Sequence, residues 1–460
     1  MVLTHFDSRS MLLRLLVWLK RGAIYHLNRG STAEMESFWL IVYLLVAAAA
    51  VIQAVLVVIQ TAEHRRFARS RLEFLRRRRP VGRVALFVPC KGVDVGLEEN
   101  LHALLRQDYG NYEVTFVLES AEDPAYEVIQ RVTAAHPQVD WGVRIAGQAE
   151  WSGQKVHNLL AATAQLPRDV EYLAFVDSDA RPNPYWLRAM VAHLRRGEVG
   201  AVTGYRWFIP QRPSLANHIL YSINCGYALL FGRNNPNYVW GGSWAIRREL
   251  FDRLEVRRSW EGTLSDDLVV SRLVRQAGLH VEFEPAAMVA SPLDRSFGQM
   301  LGFIRRQYVI AKHYTPGGWL LALAMVSLSN LGLWSCLGAA VWSLATAAVP
   351  LGVPVAVIAL LYGLGAYRGF LRQELAYRYF PEFRQVLRRP RRFDIWAAPL
   401  ANLVHWCGLV ASIPGRTIRW RGIVYRIGRG GRIRWARRRE ALPVAEPAGA
   451  EPAPRYRKAG

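Results

Sequence analysis

The sequence predicts an α/β protein built on a mostly parallel, Rossmann-like sheet, with transmembrane helices on its N-terminal and C-terminal sides. Three observations lead to this prediction. Short β-rich apolar runs alternate with helical stretches over residues 81–312, long uncharged segments precede and follow this region, and arginine clusters adjoin those segments. The alternation is typical of a parallel sheet covered by helices, and the uncharged segments are typical of membrane spans.

The first uncharged segment, Phe38–Ile59, holds 22 residues. It is long enough to cross about 30 Å of hydrocarbon as a helix. The arginine-rich stretch that follows is typical of a cytoplasmic flank. We expect an anchor and not a cleaved signal peptide, because the segment is too long and no small-residue cleavage site follows. Met35 stands just before the anchor, so Met1 and Met35 are both left open as the start of translation.

A second membrane region is expected after the α/β domain. Residues 314–367 carry no charged side chain, and prolines and a glycine near position 350 divide them into two span-length halves, which predicts a helical hairpin. The next apolar stretch, Ile395–Ile413, is marginal in length. We favour a re-entrant or interfacial segment over a third span there, because a full crossing would leave the basic C-terminal segment outside.

Charge and cysteine content exclude two classes of protein. The net charge of +23 is concentrated beside the apolar segments, without a basic–aromatic recognition motif, so we do not expect nucleic-acid binding. The four cysteines form neither a zinc-ligand spacing nor a disulfide framework. The oligomeric state is left open. The predicted segments are an N-terminal extension at 1–36, the anchor at 37–60, a basic juxtamembrane segment at 61–80, the cytosolic α/β domain at 81–312, the membrane region at 314–413 and a basic, partly disordered tail at 414–460.

The α/β domain is expected to place its functional site at one edge of the sheet. Amphipathic segments such as Leu97–Gln107 and Pro184–Leu194 are predicted to be helices. Because ligands of parallel sheets bind at the carboxyl ends of the strands, the chemistry is expected in the loops that follow the strands. The predicted strands are Val84–Val88, Val114–Leu118, Val143–Ala146, Tyr172–Val176 and Val199–Thr203.

Acidic residues occur at three such places. Glu119 follows the run VTFVL, Asp177 and Asp179 follow YLAFV, and Asp266 with Asp267 begins a helical stretch. An Asp-x-Asp pair on one turn offers two hard oxygen ligands for Mg²⁺ or Mn²⁺ shared with a substrate phosphate. A solvated turn or a helix cap is the simpler alternative. A carboxylate in a cleft can also act as a general base.

With these residues, the region 81–312 resembles the family-2 glycosyltransferases of GT-A fold, and most closely the ceramide glucosyltransferase-like enzymes. The matching stretches are VPCKGVD, LxxDYxxYEV, EDPA, GQKVHN, DSDARP, GGSWAIRRELF and SDDLVVSRLVRQAG, in this order. A WRGxxY segment at Trp420–Tyr425 extends the match loosely.

This resemblance implies roles for individual residues. Asp177 and Asp179 match the DxD pair, with Asp179 the more direct metal ligand, and Asp267, beside Asp266, matches the base that activates the acceptor. One position departs from the family pattern, because Ser120 stands where an aspartate commonly follows the second strand. The residues expected to bind substrate are Lys91, Glu119, Ser120, Lys155, Asn158, Asp177, Gly242 and Tyr308.

The QxxRW motif of the family is the second departure. Counting from the acidic pair places Phe303, Arg306 and Gln307 at its glutamine, arginine and tryptophan positions. Only the arginine remains, and Tyr308 is the candidate substitute for the aromatic residue. Arg306 is expected to offset the charge of a leaving diphosphate. The alternative is a basic residue on a membrane-facing helix.

The resemblance predicts an inverting transfer of a hexose from a UDP-sugar, expected to be UDP-glucose, to the hydroxyl of a membrane lipid such as ceramide. The apolar segment Leu215–Phe231 either lies at the bilayer interface near the lipid head group or is an ordinary buried helix. A polysaccharide synthase of the same family and an inactive lipid-binding relative are the alternatives. We expect an integral membrane protein, in the inner or cell membrane if bacterial, with a cytoplasmic catalytic domain.

Overall fold

The computed structural model describes residues 32–74, 80–233, 236–346 and 350–438. Residues 1–31 of the N-terminal extension, residues 75–79 with the arginine run at 76–79, and residues 439–460 of the basic tail lie outside the described residues. The chain divides into two compact units. One contains Met1–Gln60 and Ala324–Arg368, and the other contains Thr61–Leu323 and Gly369–Gly460.

The described helices and strands alternate through the second unit. The helices are α1 Thr32–Phe74, α2 Leu97–Leu104, α3 Ala125–Ala134, α4 Gln154–Ala162, α5 Trp186–Val191, α6 Leu215–Ala228, α7 Arg248–Arg253, α8 Val256–Trp260, α9 Asp266–Gln276, α10 Phe297–Tyr314, α11 Pro316–Thr346, α12 Gly352–Tyr379, α13 Arg388–Trp396 and α14 Ala398–Val410. The strands are β1 Arg83–Pro89, β2 Tyr112–Leu118, β3 Asp140–Ile145, β4 Val170–Val176, β5 Val199–Thr203, β6 Arg206–Pro210, β7 Ser243–Arg247, β8 His280–Phe283, β9 Val289–Leu293, β10 Thr417–Trp420, β11 Ile423–Ile427 and β12 Ile433–Arg438.

The main sheet of the described chain has seven strands in the order β3-β2-β1-β4-β7-β5-β8. Strands β3, β2, β1 and β4 run parallel, β7 is antiparallel to both β4 and β5, and β8 is parallel to β5. The prediction of an α/β protein with a mostly parallel, GT-A-type sheet is therefore confirmed. Each of the five predicted strands is present.

Both faces of this sheet are buried. Along β1, Val84, Leu86 and Val88 belong to one apolar cluster, and Ala85 and Phe87 belong to a cluster on the opposite face. Successive side chains of a strand point to opposite faces, so a strand that is covered on both sides is apolar throughout. This two-sided packing fixes the carboxyl ends of the strands, from which the loops of the candidate site begin.

Within the described residues, three helices are long and apolar enough to cross a membrane: Phe38–Leu72 within α1, Pro316–Ala345 within α11, and α12. Within the first unit, the Gln53 side-chain amide donates to Met325 O at 2.9 Å and to Ser329 Oγ at 3.0 Å. A Cβ on Gly332 would lie 2.3 Å from the Ala50 Cβ, so only glycine permits this approach of two helices. Helix α14, with 13 residues, is about 20 Å long, shorter than the hydrocarbon core.

Two segments differ from their sequence-based description. The basic segment expected to be a tail forms an antiparallel sheet, β10-β11-β12, up to Arg438. Helix α6, within the segment considered for the bilayer interface, has most of its side chains buried, including Asn217 and Tyr221. The buried-helix alternative therefore describes α6.

Candidate active site

The carboxyl ends of the parallel strands bring the predicted site residues to one edge of the sheet. Lys91 lies just after β1, Glu119 directly after β2 and Asp177 directly after β4. These three strands are neighbours in the order β2-β1-β4. Their loops therefore border one cleft, although the residues are far apart in the sequence.

Lys155 lies among the acidic residues of the site. Its ammonium lies 2.8 Å from Asp177 Oδ1 and 3.4 Å from Asp266 Oδ1, and it donates to Gly241 O at 3.0 Å. The Gly241 amide in turn donates to Asp267 Oδ2 at 2.8 Å. Burial alone would lower the pKa of Lys155, but the three carboxylates outweigh it and raise the pKa above its usual value. A charged ammonium therefore holds the acidic residues together.

Gly241 and Gly242 permit this close arrangement. A Cβ on Gly241 would lie 2.9 Å from Lys155 Nζ, 3.0 Å from Asp266 Oδ2 and 3.1 Å from Asp267 Oδ2. A Cβ on Gly242 would lie 2.7 Å from Asp177 Oδ2 and still closer to a ring atom of Trp240. Any larger residue at either position would displace the charged groups.

The two adjacent aspartates at the start of α9 have different surroundings. Asp266 is only 3% exposed, and its Oδ2 is buried with no hydrogen-bond partner among the described residues. Burial raises the pKa of Asp266 to about 7, although Lys155 opposes this shift. Asp267 is partly accessible, and its Oδ1 accepts from the Ser265 hydroxyl at 2.5 Å and from Leu268 N at 2.8 Å. Asp267 is thus the carboxylate that a substrate can reach.

Asp179 lies near Asp177 in the same cleft, and its side chain is 28% exposed. Its Oδ2 is 3.7 Å from Arg206 Nη1, and its Oδ1 is buried without a hydrogen-bond partner in the described chain. Burial, which Arg206 opposes and the charge of Asp177 reinforces, raises the pKa of Asp179. Within the described ranges, no three His, Cys, Asp or Glu side chains form a metal-binding group. An unpartnered carboxylate oxygen beside a second carboxylate nevertheless fits Mg²⁺ or Mn²⁺, since these ions commonly take one or two protein carboxylates plus substrate phosphates.

Glu119 lies between two cations. Lys91 Nζ contacts its Oε2, and Arg438 Nη1 from the C-terminal sheet donates to its Oε1 at 2.5 Å. Arg438 also donates to Gln154 Oε1 at 2.7 Å. The neighbouring Ser120 instead hydrogen-bonds within its own loop, to the carboxylate two residues on. Glu119, not Ser120, is therefore held towards the cleft.

Asn158 supports the wall of the cleft from beneath. It is buried, its amide nitrogen lies 3.4 Å from Val117 O, and its amide oxygen accepts from Gln154 Nε2 at 2.8 Å. Gln154 in turn meets Arg438. Asn158 is therefore connected through Gln154 to Arg438, which contacts Glu119.

Arg306 is held between two aromatic rings. Its guanidinium lies 5.2 Å from the Phe303 ring centre and 5.3 Å from that of Trp420. Tyr308 does not supply this aromatic contact, because its hydroxyl bonds to Tyr227 Oη at 2.7 Å and to His405. The substitution of Tyr308 for the motif's tryptophan stays a prediction; in the structure the Tyr308 hydroxyl bonds to residues of α6 and α14.

Several residues of the site have no signal in the sequence. Arg206, in β6, is surrounded by the rings of Phe208, Trp240 and Phe303 at 5.3, 4.8 and 5.7 Å. Burial, together with the charges of neighbouring arginines including Arg206, lowers the pKa of Arg306 to about 9. The cleft is therefore rich in positive charge around Asp179. Of these residues, only Trp240 could have been identified from the sequence, because it directly precedes the matching stretch GGSWAIRRELF.

A sequence model of glycosyl transferase family 21 matches residues 42–433. The chain belongs to glycosyl transferase family 21. The resemblance to ceramide glucosyltransferase-like proteins is thereby confirmed, with family 21 as the matching family where the sequence motifs had indicated family 2.

Individual relatives of this family-21 chain match over shorter stretches. Ceramide glucosyltransferase 1 of Caenorhabditis elegans is 29% identical over 79 residues, 17% of each chain. The processive diacylglycerol beta-glycosyltransferase of Mycoplasma pneumoniae is 28% identical over 115 residues, 24% of this chain and 32% of that protein. The matched stretch thus spans about a sixth of the curated ceramide glucosyltransferase.

Among solved structures, this chain is similar to the mannosyltransferase PcManGT of Pyrobaculum calidifontis in complex with GDP-Man and Mn²⁺. The match covers 73% of this chain and 99% of that one. The identity is 18% and the TM-score is 0.44.

Proposed function

We propose that this protein transfers a hexose from a nucleotide sugar to the hydroxyl of a membrane lipid. The observation that carries the proposal is the convergence of Asp177, Asp266 and Asp267 on Lys155, with Asp179 in the same cleft. Membership of family 21 supports the reaction class.

The donor side of the cleft is formed by the loops after β1, β2 and β4. Asp179, with Asp177, holds a divalent ion, Mg²⁺ or Mn²⁺, which when bound neutralises charge on the donor diphosphate. Lys91 and Glu119, with Ser120 beside them, face the nucleoside, which we propose to be uridine. The donor is proposed to be UDP-glucose.

Gly242 and the buried Asn158 and Lys155 shape the floor of the donor site. Gly242 leaves room for Asp177, and Lys155 fixes the orientation of that carboxylate. Asn158 acts through Gln154. These residues position the donor and do not take part in bond making.

Asp267 is the proposed general base. An acceptor hydroxyl has a pKa far above neutrality, so its attack on the anomeric carbon is assisted when a carboxylate takes the proton as the new bond forms. The new O–C1 bond replaces the C1–O bond to the diphosphate, whose oxygen keeps the electron pair, and the anomeric configuration inverts. Asp266 keeps Lys155 in place, and Arg306 stabilises the departing diphosphate.

The proposed acceptor is a lipid such as ceramide. Three helices of span-forming length and composition support a position at the membrane. The names of two relatives refer to ceramide and to diacylglycerol. Both compounds are two-chain lipids with a primary hydroxyl. We place the protein in the inner or cell membrane if bacterial, with the cleft on the cytoplasmic side.

A polysaccharide synthase of the same family and an inactive lipid-binding relative are the competing proposals. Purified protein, reconstituted with ceramide or diacylglycerol, is incubated with radiolabelled UDP-glucose, UDP-galactose, UDP-N-acetylglucosamine or GDP-mannose, with and without Mn²⁺. Label in the chloroform-soluble fraction is the expected result, lost in Asp179→Ala and Asp267→Ala. Label in an ethanol-insoluble polymer would favour the synthase. Absence of transfer from every donor would favour the inactive relative.

A further inference from the structure

The C-terminal sheet borders the candidate active site through its first hairpin. Trp420 pairs with Ile423, so only Arg421 and Gly422 form the turn between β10 and β11. Both turn residues have positive φ, +49° and +78°. Such two-residue turns favour asparagine, aspartate or glycine, and a left-handed conformation is strained for other residues. The turn geometry therefore does not explain an arginine at position 421.

The side chain of Arg421 reaches into the α/β domain. Its Nη1 donates to Lys91 O at 2.8 Å, and its Nη2 donates to Asp94 Oδ2 at 2.5 Å. Both partners lie in the loop after β1, at the edge where the nucleotide is proposed to bind. The Arg421 side chain remains 36% exposed, so it is accessible to a ligand.

Three guanidiniums lie near the aspartates beside this turn. Arg206, Arg306 and Arg421 all lie within electrostatic range of Asp179, and Arg421 also faces Asp177. Arg206 lies 3.7 Å from Asp179 Oδ2 and Arg421 pairs with Asp94, whereas Arg306 packs on aromatic rings. Guanidinium groups prefer carboxylates and phosphates as partners, so the cluster fits a ligand with several negative charges.

Trp420 adds a second contact from the same hairpin. Its ring lies against the Arg306 guanidinium, on which Phe303 also packs. A cation is attracted to the face of an aromatic ring, which favours one orientation of the guanidinium. The aromatic residue missing after Arg306 in the sequence is thus supplied by the C-terminal sheet.

We propose that the Trp420–Arg421 turn completes the diphosphate subsite, with Arg421 contacting the nucleoside diphosphate and Trp420 orienting Arg306. This inference rests on the proposed function, since it takes the ligand to be a nucleoside diphosphate. On ligand binding, Arg421 exchanges its carboxylate partner Asp94 for phosphate oxygens. Trp420 is a positioning residue that acts through Arg306.

Calorimetric titration of the full-length protein in detergent tests this subsite, with UDP and with uridine as probes. A charge-assisted hydrogen bond lost from the diphosphate weakens binding by about 10- to 100-fold. Arg421→Ala should therefore weaken UDP binding to this extent and leave uridine binding unchanged. The matched control is Arg419→Ala, which removes an exposed arginine from the adjacent strand and should leave both affinities unchanged.

Asp94→Asn separates ligand binding from a merely structural link between Arg421 and Asp94. If Arg421 only fastens the sheet to the loop, Asp94→Asn will weaken UDP binding as much as Arg421→Ala does, which would overturn the proposal. We expect UDP to bind Asp94→Asn at least as tightly as wild type, because Arg421 is then released from a competing carboxylate.

Trp420→Leu should reduce the rate of transfer about 10-fold or more, with UDP affinity changed less than 3-fold. Equal loss of UDP and uridine binding in Arg421→Ala, or unchanged UDP binding, would refute the subsite. If wild type binds neither UDP nor GDP, the proposed function itself fails, which is a distinguishable result.

Discussion

Removing the Lys155 ammonium should destabilise the fold, and the loss should grow with pH. In Lys155→Met, Asp177 and Asp266 lose a cation that lies 2.8 and 3.4 Å from them. Breaking a buried pair by removing one partner costs about 3–5 kcal/mol. Methionine keeps a long apolar side chain, so the loss reports the charge and not a cavity.

The pH dependence follows from Asp266. Its pKa rises from 3.8 to about 7 in the folded protein. Between pH 3.8 and 7 the folded state therefore binds more protons than the unfolded state, so the free energy of unfolding falls as pH rises. At 1.36 kcal/mol per pH unit the fall amounts to about 4 kcal/mol, and above pH 7 this contribution stays constant. Without Lys155 the folded pKa is higher still. The stability of Lys155→Met should thus continue to fall above pH 7, widening its gap from wild type by about 1.4 kcal/mol per pH unit.

Urea unfolding in detergent, followed by tryptophan fluorescence at pH 6, 7, 8 and 9 without divalent cations, measures this gap. The double variant Lys155→Met/Asp266→Asn is the control, because it lacks the titrating carboxylate, so its gap from wild type should not widen as pH rises. A gap in Lys155→Met that stays constant from pH 6 to 9, or one that widens equally in the double variant, would refute the reasoning.

Three further predictions concern the cleft and its supports. Gly241→Ala should lower turnover about 10- to 100-fold, because the new Cβ displaces the charged groups. Gly110→Ala is the control and should leave turnover unchanged, because the space around its Cβ position is open. Steady-state kinetics measures both variants. Burial lowers the pKa of His136, so the unfolded state binds more protons at acid pH and stability falls as pH drops below 6.5. His136→Gln should lose less Tm than wild type between pH 7.5 and 5.5. Asp394→Leu, which leaves buried Arg372 unpaired, should cost about 3–5 kcal/mol, and Arg372→Met added to it should recover part of that loss in thermal melts.

The strands of the sheet and the acidic ends of their loops could be predicted from local pattern alone. Runs such as Val84–Val88 are apolar because both faces of the sheet are covered, and a parallel sheet requires its ligand-binding loops at one edge. The positions of Glu119 and Asp177 followed from those two facts, whereas Asp267 lies at the start of α9, which follows α8 and not a strand. The closeness of Asp177, Asp266 and Asp267 around Lys155 is a finding of the structure.

The contribution of the C-terminal sheet could not be predicted. Its short strands carry many arginines, as in the stretch Ile433–Arg438, and so resemble a basic tail. Contacts such as Arg421 with Asp94 join residues more than 300 positions apart, for which the sequence offers no local signal. The contact of Arg306 with the Trp420 ring likewise joins two segments more than 100 residues apart.

The most direct test of the central claim separates donor binding from proton removal within the one cleft. UDP affinity in the presence of Mn²⁺ and single-turnover transfer of radiolabelled hexose from UDP-glucose to a lipid acceptor are measured for wild type, Asp179→Asn and Asp267→Asn. We expect Asp179→Asn to lose both, and Asp267→Asn to bind UDP within about 3-fold of wild type while transfer falls about 100-fold or more. Transfer at wild-type rates in Asp267→Asn, or UDP binding unaffected by Asp179→Asn, would contradict the division of roles on which the account rests.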